Sequence, residues 1–397
     1  MPRKPDSTIS KPRSAPKSRS VPKLKTPEAI PTFPTYKARI EEKDRAVDKE
    51  IQQLLGILRV LGTPMIQDSE AHFIYYNPFA REVKLAGEFG AWDWNGIPMT
   101  RLGKTGLFYR TVELAAPIRI EYKFNVDGQW VLDPFCPNRV DNGVGGENSY
   151  FVLGRFQEPP ELEWVPTIPH GKVEEFPLTS QFLHNERTVY VYLPPGYSEQ
   201  PAKKFPVLYV HDGGEYLTRA RLAIVLDNLI HSEEVLPLIA VMVNPVNRES
   251  EYIGNEDYAR LIEQELIPRI DHSYHTRSSR EARAVMGASM GGLISSYLAL
   301  TRPQLFSRVG GQSSAFYLNE DKLVALANQL RTPLTFYLDV GEVETAFIPA
   351  HKRLIAILES KGCKCFYQEV PGGHNWTTWR QHLKDLLSYL FNDKRSV

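Results

Sequence analysis

Apolar residues recur along the chain with two different periods, and the change of period divides it. Val47, Ile51, Leu54, Leu55, Leu58 and Leu61 fall at helical spacing, and the pattern stops at Gly62 and Pro64. A helix with one apolar face is predicted there, packed on a neighbouring domain. From about residue 70 to 154 the period drops to two. Ile118, Ile120, Tyr122, Phe124 and Val126 alternate with Arg119, Glu121, Lys123 and Asn125, and Asp127-Gly128 offers a hairpin turn before Gln129-Trp130. Several such strands and turns within roughly ninety residues predict a small β-sandwich.

The stretch 158–171 carries Pro159, Pro160, Pro166 and Pro169 and reads as a linker. Beyond it, short apolar runs at 188–193, 206–210, 238–243, 284–286, 308–312, 334–339 and 365–370 alternate with helical patterns. In one of these, 257–270, Leu261, Ile262, Leu266, Ile267 and Ile270 mark the apolar positions. Strands alternating with helices predict a mostly parallel sheet with helices on its faces. The expected order is a tail over 1–43, an amphipathic helix over 44–63, a sandwich over 68–155, a linker over 156–172 and an α/β domain over 173–393.

Composition narrows the class. With 397 residues the chain has room for two domains, and 42% apolar and 24% charged residues suit a soluble globular protein. Lys and Arg number 47 and Asp and Glu 47, so no net charge draws the protein to nucleic acid or to an acidic membrane surface. The first forty or so residues differ, being rich in Lys, Arg, Pro and Ser; such a tail buries too little surface to fold and is expected to be disordered. It has no apolar core of a secretory signal, and no run elsewhere reaches membrane-spanning length. Of the three cysteines, Cys363 and Cys365 stand two apart, which suits neither a disulfide nor a zinc site, so free thiols and a cytoplasmic location are expected. No feature of the sequence addresses oligomeric state.

The chemistry concentrates at Ala284-Val285-Met286-Gly287-Ala288-Ser289-Met290-Gly291-Gly292-Leu293. An apolar run meets Gly287-x-Ser289-x-Gly291 and a helical segment follows, the context of a nucleophile elbow. Glycines flank the serine because the turn is too tight for a Cβ, and the serine takes a strained backbone conformation that lifts its Oγ clear. A helix N-terminus at Ser289 places partial positive charge where an oxyanion would form.

Such a serine needs a base, an acid to orient the base, and oxyanion donors, in the chain order serine, acid, histidine. His374 stands in Pro371-Gly372-Gly373-His374-Asn375-Trp376, directly after the last strand, where the base is expected. Asp339, Glu342 and Glu344 all follow or end the preceding strand; Glu344 is best placed to reach back. The amide of Met290, next after the nucleophile, and that of Gly214, in the Tyr209-Val210-His211-Asp212-Gly213-Gly214 strand end, are the expected oxyanion donors. His211 reads as a buried polar residue. No metal or cofactor is called for.

At this point the chain resembles the enterochelin esterase-like proteins within the esterase-D-type α/β-hydrolases, over about residues 173–392. The pieces that carry the resemblance are His211-Asp212-Gly213-Gly214, Gly287-Ala288-Ser289-Met290-Gly291-Gly292 and Gly372-Gly373-His374-Asn375-Trp376, with Gly341–Glu344 supporting Glu344 as the acid. Asn247-Arg248-Glu249-Ser250-Glu251-Tyr252 looks like the family's R-x-x-E loop. The resemblance implies that Arg248 and Trp376 face the substrate, or that Arg248 braces its loop through Glu251. The sandwich resembles glycogen-binding-type E-set modules through Leu85-Ala86-Gly87-Glu88-Phe89-Gly90-Ala91-Trp92, Tyr122-Lys123-Phe124-Asn125-Val126-Asp127-Gly128-Gln129-Trp130, Asp133-Pro134 and Glu147-Asn148-Ser149. In carbohydrate-binding relatives the residues matching Trp92, Lys123 and Trp130 hold sugar; in enterochelin esterases the sandwich helps build the active-site entrance. The implied activity is hydrolysis of a small-molecule ester through an acyl-enzyme, on a siderophore-type ester. The alternatives are a feruloyl or acetyl esterase acting on carbohydrate esters and a non-catalytic glucan-binding protein.

Overall fold

The computed structural model describes residues 31–42, 47–90, 92, 96–115, 117–143 and 145–392. Residues 1–30 of the expected tail lie outside them. The expected tail ends earlier than its composition implied, because Phe33–Glu42 forms a helix, α1, with Phe33, Tyr36 and Ile40 buried on one face. Averaged over forty basic and proline-rich residues, that short apolar stripe is invisible. Together with α2 (Val47–Leu61) it packs Ile51, Leu54, Leu55 and Leu58 around Ile74 and Leu107 of the neighbouring strands and Leu102 of the loop before Leu107.

Those strands belong to two antiparallel sheets. One orders Met65–Gln67, Glu70–Tyr76, Leu107–Glu113 and Thr100–Arg101; the other orders Ile97–Pro98, Val83–Gly87, Ile118–Val126, Glu147–Leu153 and Arg139–Asp141, with Gln129–Val131 paired to Ile118–Val126. Ile118, Ile120, Tyr122 and Phe124 meet Phe73, Leu85 and Phe151 between the sheets, as strict alternation requires. The polar face of the same strand is unusual. Arg119 and Glu121 are only 8% and 5% exposed. Arg119 donates to Glu121 at 2.8 Å and lies over the Tyr150 ring at 4.0 Å, and Asn148 Nδ2 donates to Glu121 at 2.9 Å. Arg119 borders a cavity with Pro371 and Thr378 of the following domain, and Glu121 borders one with Asn375.

Eight strands form the second domain: β1 (Lys172–Ser180), β2 (Asn185–Leu193), β3 (Val207–His211), β4 (Ile239–Val243), β5 (Arg283–Ala288), β6 (Arg308–Gln312), β7 (Thr335–Gly341) and β8 (Lys364–Val370). Their spatial order is β1-β2-β4-β3-β5-β6-β7-β8. The first two pairings are antiparallel and the rest parallel. Every residue of β3, β4 and β5 is buried, since helices cover both faces. Strand β1 goes unread in the sequence: it carries Pro177 and two glutamates, and lies at the sheet edge where a missing N–H is tolerated. The linker lies against this domain. Asn228 Nδ2 donates to the Glu161 and Glu163 carbonyls at 2.8 and 2.9 Å, and the Trp164 ring stacks on His170 at 3.6 Å. The carboxyl ends of β3, β5, β7 and β8 open on one edge, where a sheet of this kind places its chemistry.

Candidate active site

The turn from β5 into α5 (Met290–Thr301; α3 and α4 denote the earlier helices Gly213–Thr218 and Arg248–Tyr252) sets Ser289 at φ 57°, ψ −122°. A non-glycine residue there costs about 1–3 kcal/mol and persists only where neighbours fix it. Here the Ser289 N–H donates to the Gln312 carbonyl at 2.8 Å and the Ala315 N–H donates to the Ser289 carbonyl at 2.9 Å. Of the two flanking glycines, Gly287 is sterically required and Gly291 is tightly crowded. A Cβ on Gly287 would lie 2.4 Å from the Gly291 carbonyl carbon, and one on Gly291 would lie 3.0 Å from Asp212 Oδ2.

His374, in the loop after β8, brings Nε2 to 2.9 Å from Ser289 Oγ and Nδ1 to 2.6 Å from Glu344 Oε1. A carboxylate against Nδ1 puts the proton on that nitrogen and leaves Nε2 to accept from the serine hydroxyl. The imidazole also sits 4.9 Å from the Phe347 ring and 5.1 Å from the Trp379 indole, which fix its plane. Of the three contending carboxylates, Glu344 is the one the fold brings to the histidine. It is fully buried, and its Oε2 accepts from Ser313 Oγ at 2.6 Å and from the Gly341 N–H at 2.7 Å. Burial alone would raise its proton affinity; the His374, Ser313 and Gly341 donors outweigh it and hold the carboxyl below its ordinary value. Glu342 is exposed.

Asp339 is buried away from the imidazole, within 3.3 Å of Gln312 Nε2, and burial pushes it up to about 7. Between the ordinary value of 3.8 and about 7 the native state therefore holds a proton that the unfolded chain has released. Stability then falls as pH rises through that window. Asp339→Asn has no such proton to lose. Its melting temperature is expected to gain on wild type from about pH 4 to about pH 7 and to hold a constant margin above; a margin independent of pH in calorimetry would refute this.

Two expectations need correction. The Gly214 N–H, expected as an oxyanion donor, donates to Asn244 Oδ1 at 2.6 Å, because α3 starts beside the end of β4. The Met290 amide is the first of α5, a position with no partner inside a helix. Arg248 does not brace its loop through Glu251. Its Nε and Nη2 donate to Asp212 Oδ1 and Oδ2 at 2.9 and 2.8 Å, and Nη2 lies 3.3 Å from the Ala288 carbonyl. Glu251 is held instead by Arg187, at 2.6 and 3.2 Å. His211 is buried against Ser295 Oγ at 2.9 Å, and burial lowers it to about 3, so it stays neutral.

A cavity of about 730 Å³ joins these parts to the sandwich. Ser289, His374, Arg248 and Trp376 wall it on one side; Trp92, Lys123 and Trp130 wall it on the other. The residues expected to act on an ester and those expected to meet sugar thus face one space. Sequence reading did not single out Ser313, whose hydroxyl links Glu344 to the Trp379 indole N–H at 3.0 Å, nor Asn244.

The model of the esterase family matches residues 180–390, and the model for the glycogen recognition site of AMP-activated protein kinase matches residues 71–153. The chain belongs to the esterase family. It is 26% identical over 353 residues to an endo-1,4-beta-xylanase/feruloyl esterase of Xylanibacter ruminicola, covering 83% of this chain and 46% of that protein. The chain therefore spans less than half of that relative. Over 283 residues it is 26% identical to the iron(III) enterobactin esterase of Escherichia coli O6:H1, covering 67% of this chain and 70% of the relative. The crystal structure of the Shigella flexneri enterobactin esterase with enterobactin shares the fold, with a TM-score of 0.65 at 22% identity over 82% of this chain and 94% of that one.

Proposed function

We propose that the protein hydrolyses esters through a covalent acyl-enzyme on Ser289. The supporting observation is the unbroken relay from Ser289 Oγ through His374 to Glu344, at 2.9 and 2.6 Å. Ser289 attacks the acyl carbon as its proton passes to His374 Nε2; the imidazolium, held by Glu344, returns that proton to the departing alkoxide. Water then repeats the sequence on the acyl-enzyme and frees the acid. The Met290 amide stabilises the oxyanion. A fluorophosphonate probe is expected to label the wild-type protein and to leave Ser289→Ala unlabelled. Equal labelling of both would remove Ser289 from the mechanism.

The substrate is an ester of a polyhydroxylated alcohol, whose hydroxyl-rich half rests against the sandwich. Two indoles, Trp92 and Trp130, offer faces on which a sugar ring stacks, and Lys123 lies between them in sequence as a hydrogen-bond donor. Among the described residues the cavity wall carries Lys123 and four arginines against four carboxylates. That near balance suits a neutral polyol better than a strongly anionic ferric catecholate. The second reading, a siderophore-type ester, is favoured by the match to the enterobactin esterase. Turnover of methyl ferulate and of ferric enterobactin, measured side by side, separates them: faster turnover of ferric enterobactin would end the carbohydrate-ester reading. A cytoplasmic location fits the three unpaired cysteines. No helix among the described residues is long and apolar enough to cross a membrane.

A further inference from the structure

The loop that carries His374 leans on a buried carboxylate of the sandwich. Glu88 lies in the turn after Val83–Gly87 and is 0% exposed. Its Oε2 accepts from the Glu121 N–H at 3.0 Å and its Oε1 from Asn375 Nδ2. Asn375 directly follows His374, and its Oδ1 accepts from the Thr378 N–H at 2.9 Å, capping the helix α6 (Trp376–Gln381). The backbones meet as closely: a Cβ on Gly373 would lie 2.5 Å from Glu88 Cβ. Val343, beside Glu344, packs against the sandwich core, as does Phe89 beside Glu88. Both loops that flank the imidazole therefore touch the other domain, the His374 loop at the Glu88 turn and the Glu344 loop at the apolar core.

A buried carboxyl is a poor device for stability alone. Burial and the neighbouring Glu121 push Glu88 well above its ordinary range, and an apolar side chain of the same volume would join the domains without that cost. What a carboxyl adds is direction: a fixed acceptor for one amide hydrogen, one residue from the imidazole.

We infer that Glu88 is a positioning residue of the esterase, setting the His374 loop through its hydrogen bond from Asn375, so that the sandwich completes the active site. This rests on the Ser289–His374–Glu344 reading above. An imidazole moved by a fraction of an ångström would still leave substrate bound, and would lose the alignment with Ser289 Oγ.

The test uses the full chain with p-nitrophenyl butyrate, reading kcat, KM and the rate of fluorophosphonate labelling. Asn375→Asp keeps the capping acceptor and removes the donor to Glu88. It is expected to lower kcat and labelling rate about 30-fold with KM within about twofold. Adding Glu88→Gln reverses the polarity of the bond, since the new amide can donate to the new carboxylate. The double variant is expected to recover to within about threefold of wild type. A residue with only a structural role would change the melting temperature and leave kcat of the folded protein alone. Full activity in Asn375→Asp, or a double variant no better than Asn375→Asp, would overturn the inference. Ser289→Ala, run in parallel, keeps the two readings apart: inactive Ser289→Ala beside fully active Asn375→Asp overturns the role of Glu88 alone, whereas active Ser289→Ala overturns both.

Discussion

His374→Ala is expected to lower kcat on a simple p-nitrophenyl ester by about 10⁴-fold or more, while KM moves only a few-fold. The split follows from what the imidazole touches. Its Nε2 meets Ser289 Oγ and its Nδ1 meets Glu344, while the broad cavity that would seat the substrate is walled largely by other side chains. Removing the base leaves the substrate in place and the serine with nothing to take its proton. The loss corresponds to about 5 kcal/mol of transition-state stabilisation. Glu344→Gln should fall about as far, for a different reason. An amide can donate to Nδ1, which would move the imidazole proton to Nε2 and leave no acceptor for the serine hydroxyl. Steady-state kinetics on both variants check this, and a His374→Ala rate within tenfold of wild type would take the histidine out of the reaction.

What the sequence disclosed about this site was local. The elbow is legible because tight turns admit few residues: Gly287 stands where a Cβ would collide, Gly291 where one would crowd Asp212, and Ser289 takes the positive φ that its setting imposes. The histidine is legible because it follows the last strand in a glycine-rich loop. Glu344 could be ranked above Asp339 and Glu342 by loop spacing and by the resemblance at Gly341–Glu344. What separates them in the structure is donor supply, with Ser313 and the Gly341 amide converging on Glu344. Contacts between distant segments were beyond reach. Glu88 and Asn375 are 287 positions apart, and no periodicity links them. The strand 118–126 shows the same limit from another side. Its alternation correctly separates two faces, and it carries no mark that the polar face is covered and borders a cavity shared with Ser289. Strand β1 and helix α1 escaped for simpler reasons, a proline at a sheet edge and a short apolar stripe beside a basic tail.

The other large effect is expected on stability, at Glu251→Ala. Arg187 and Glu251 face each other with side-chain exposures of 0% and 2%, bonded at 2.6 and 3.2 Å. The carboxylate also accepts from the Asn247 N–H at 3.2 Å, which ties the start of α4 to the sheet. Removing it strands a buried guanidinium, whose charge has lost its partner and cannot regain water. Breaking a pair in this way costs about 3–5 kcal/mol. For a domain of this size that is roughly a 10 °C fall in melting temperature. Helix α4 also carries Arg248, which grips Asp212 and reaches the carbonyl just before Ser289, so kcat should drop with stability. The double variant Arg187→Met, Glu251→Leu distinguishes an unpaired charge from a lost attraction. With both charges gone no buried ion lacks a partner, and the double variant should unfold later in urea than Glu251→Ala despite carrying one more substitution. Were Glu251→Ala to melt within a degree of wild type, the guanidinium must already be solvated, and the pair would not hold α4 in place.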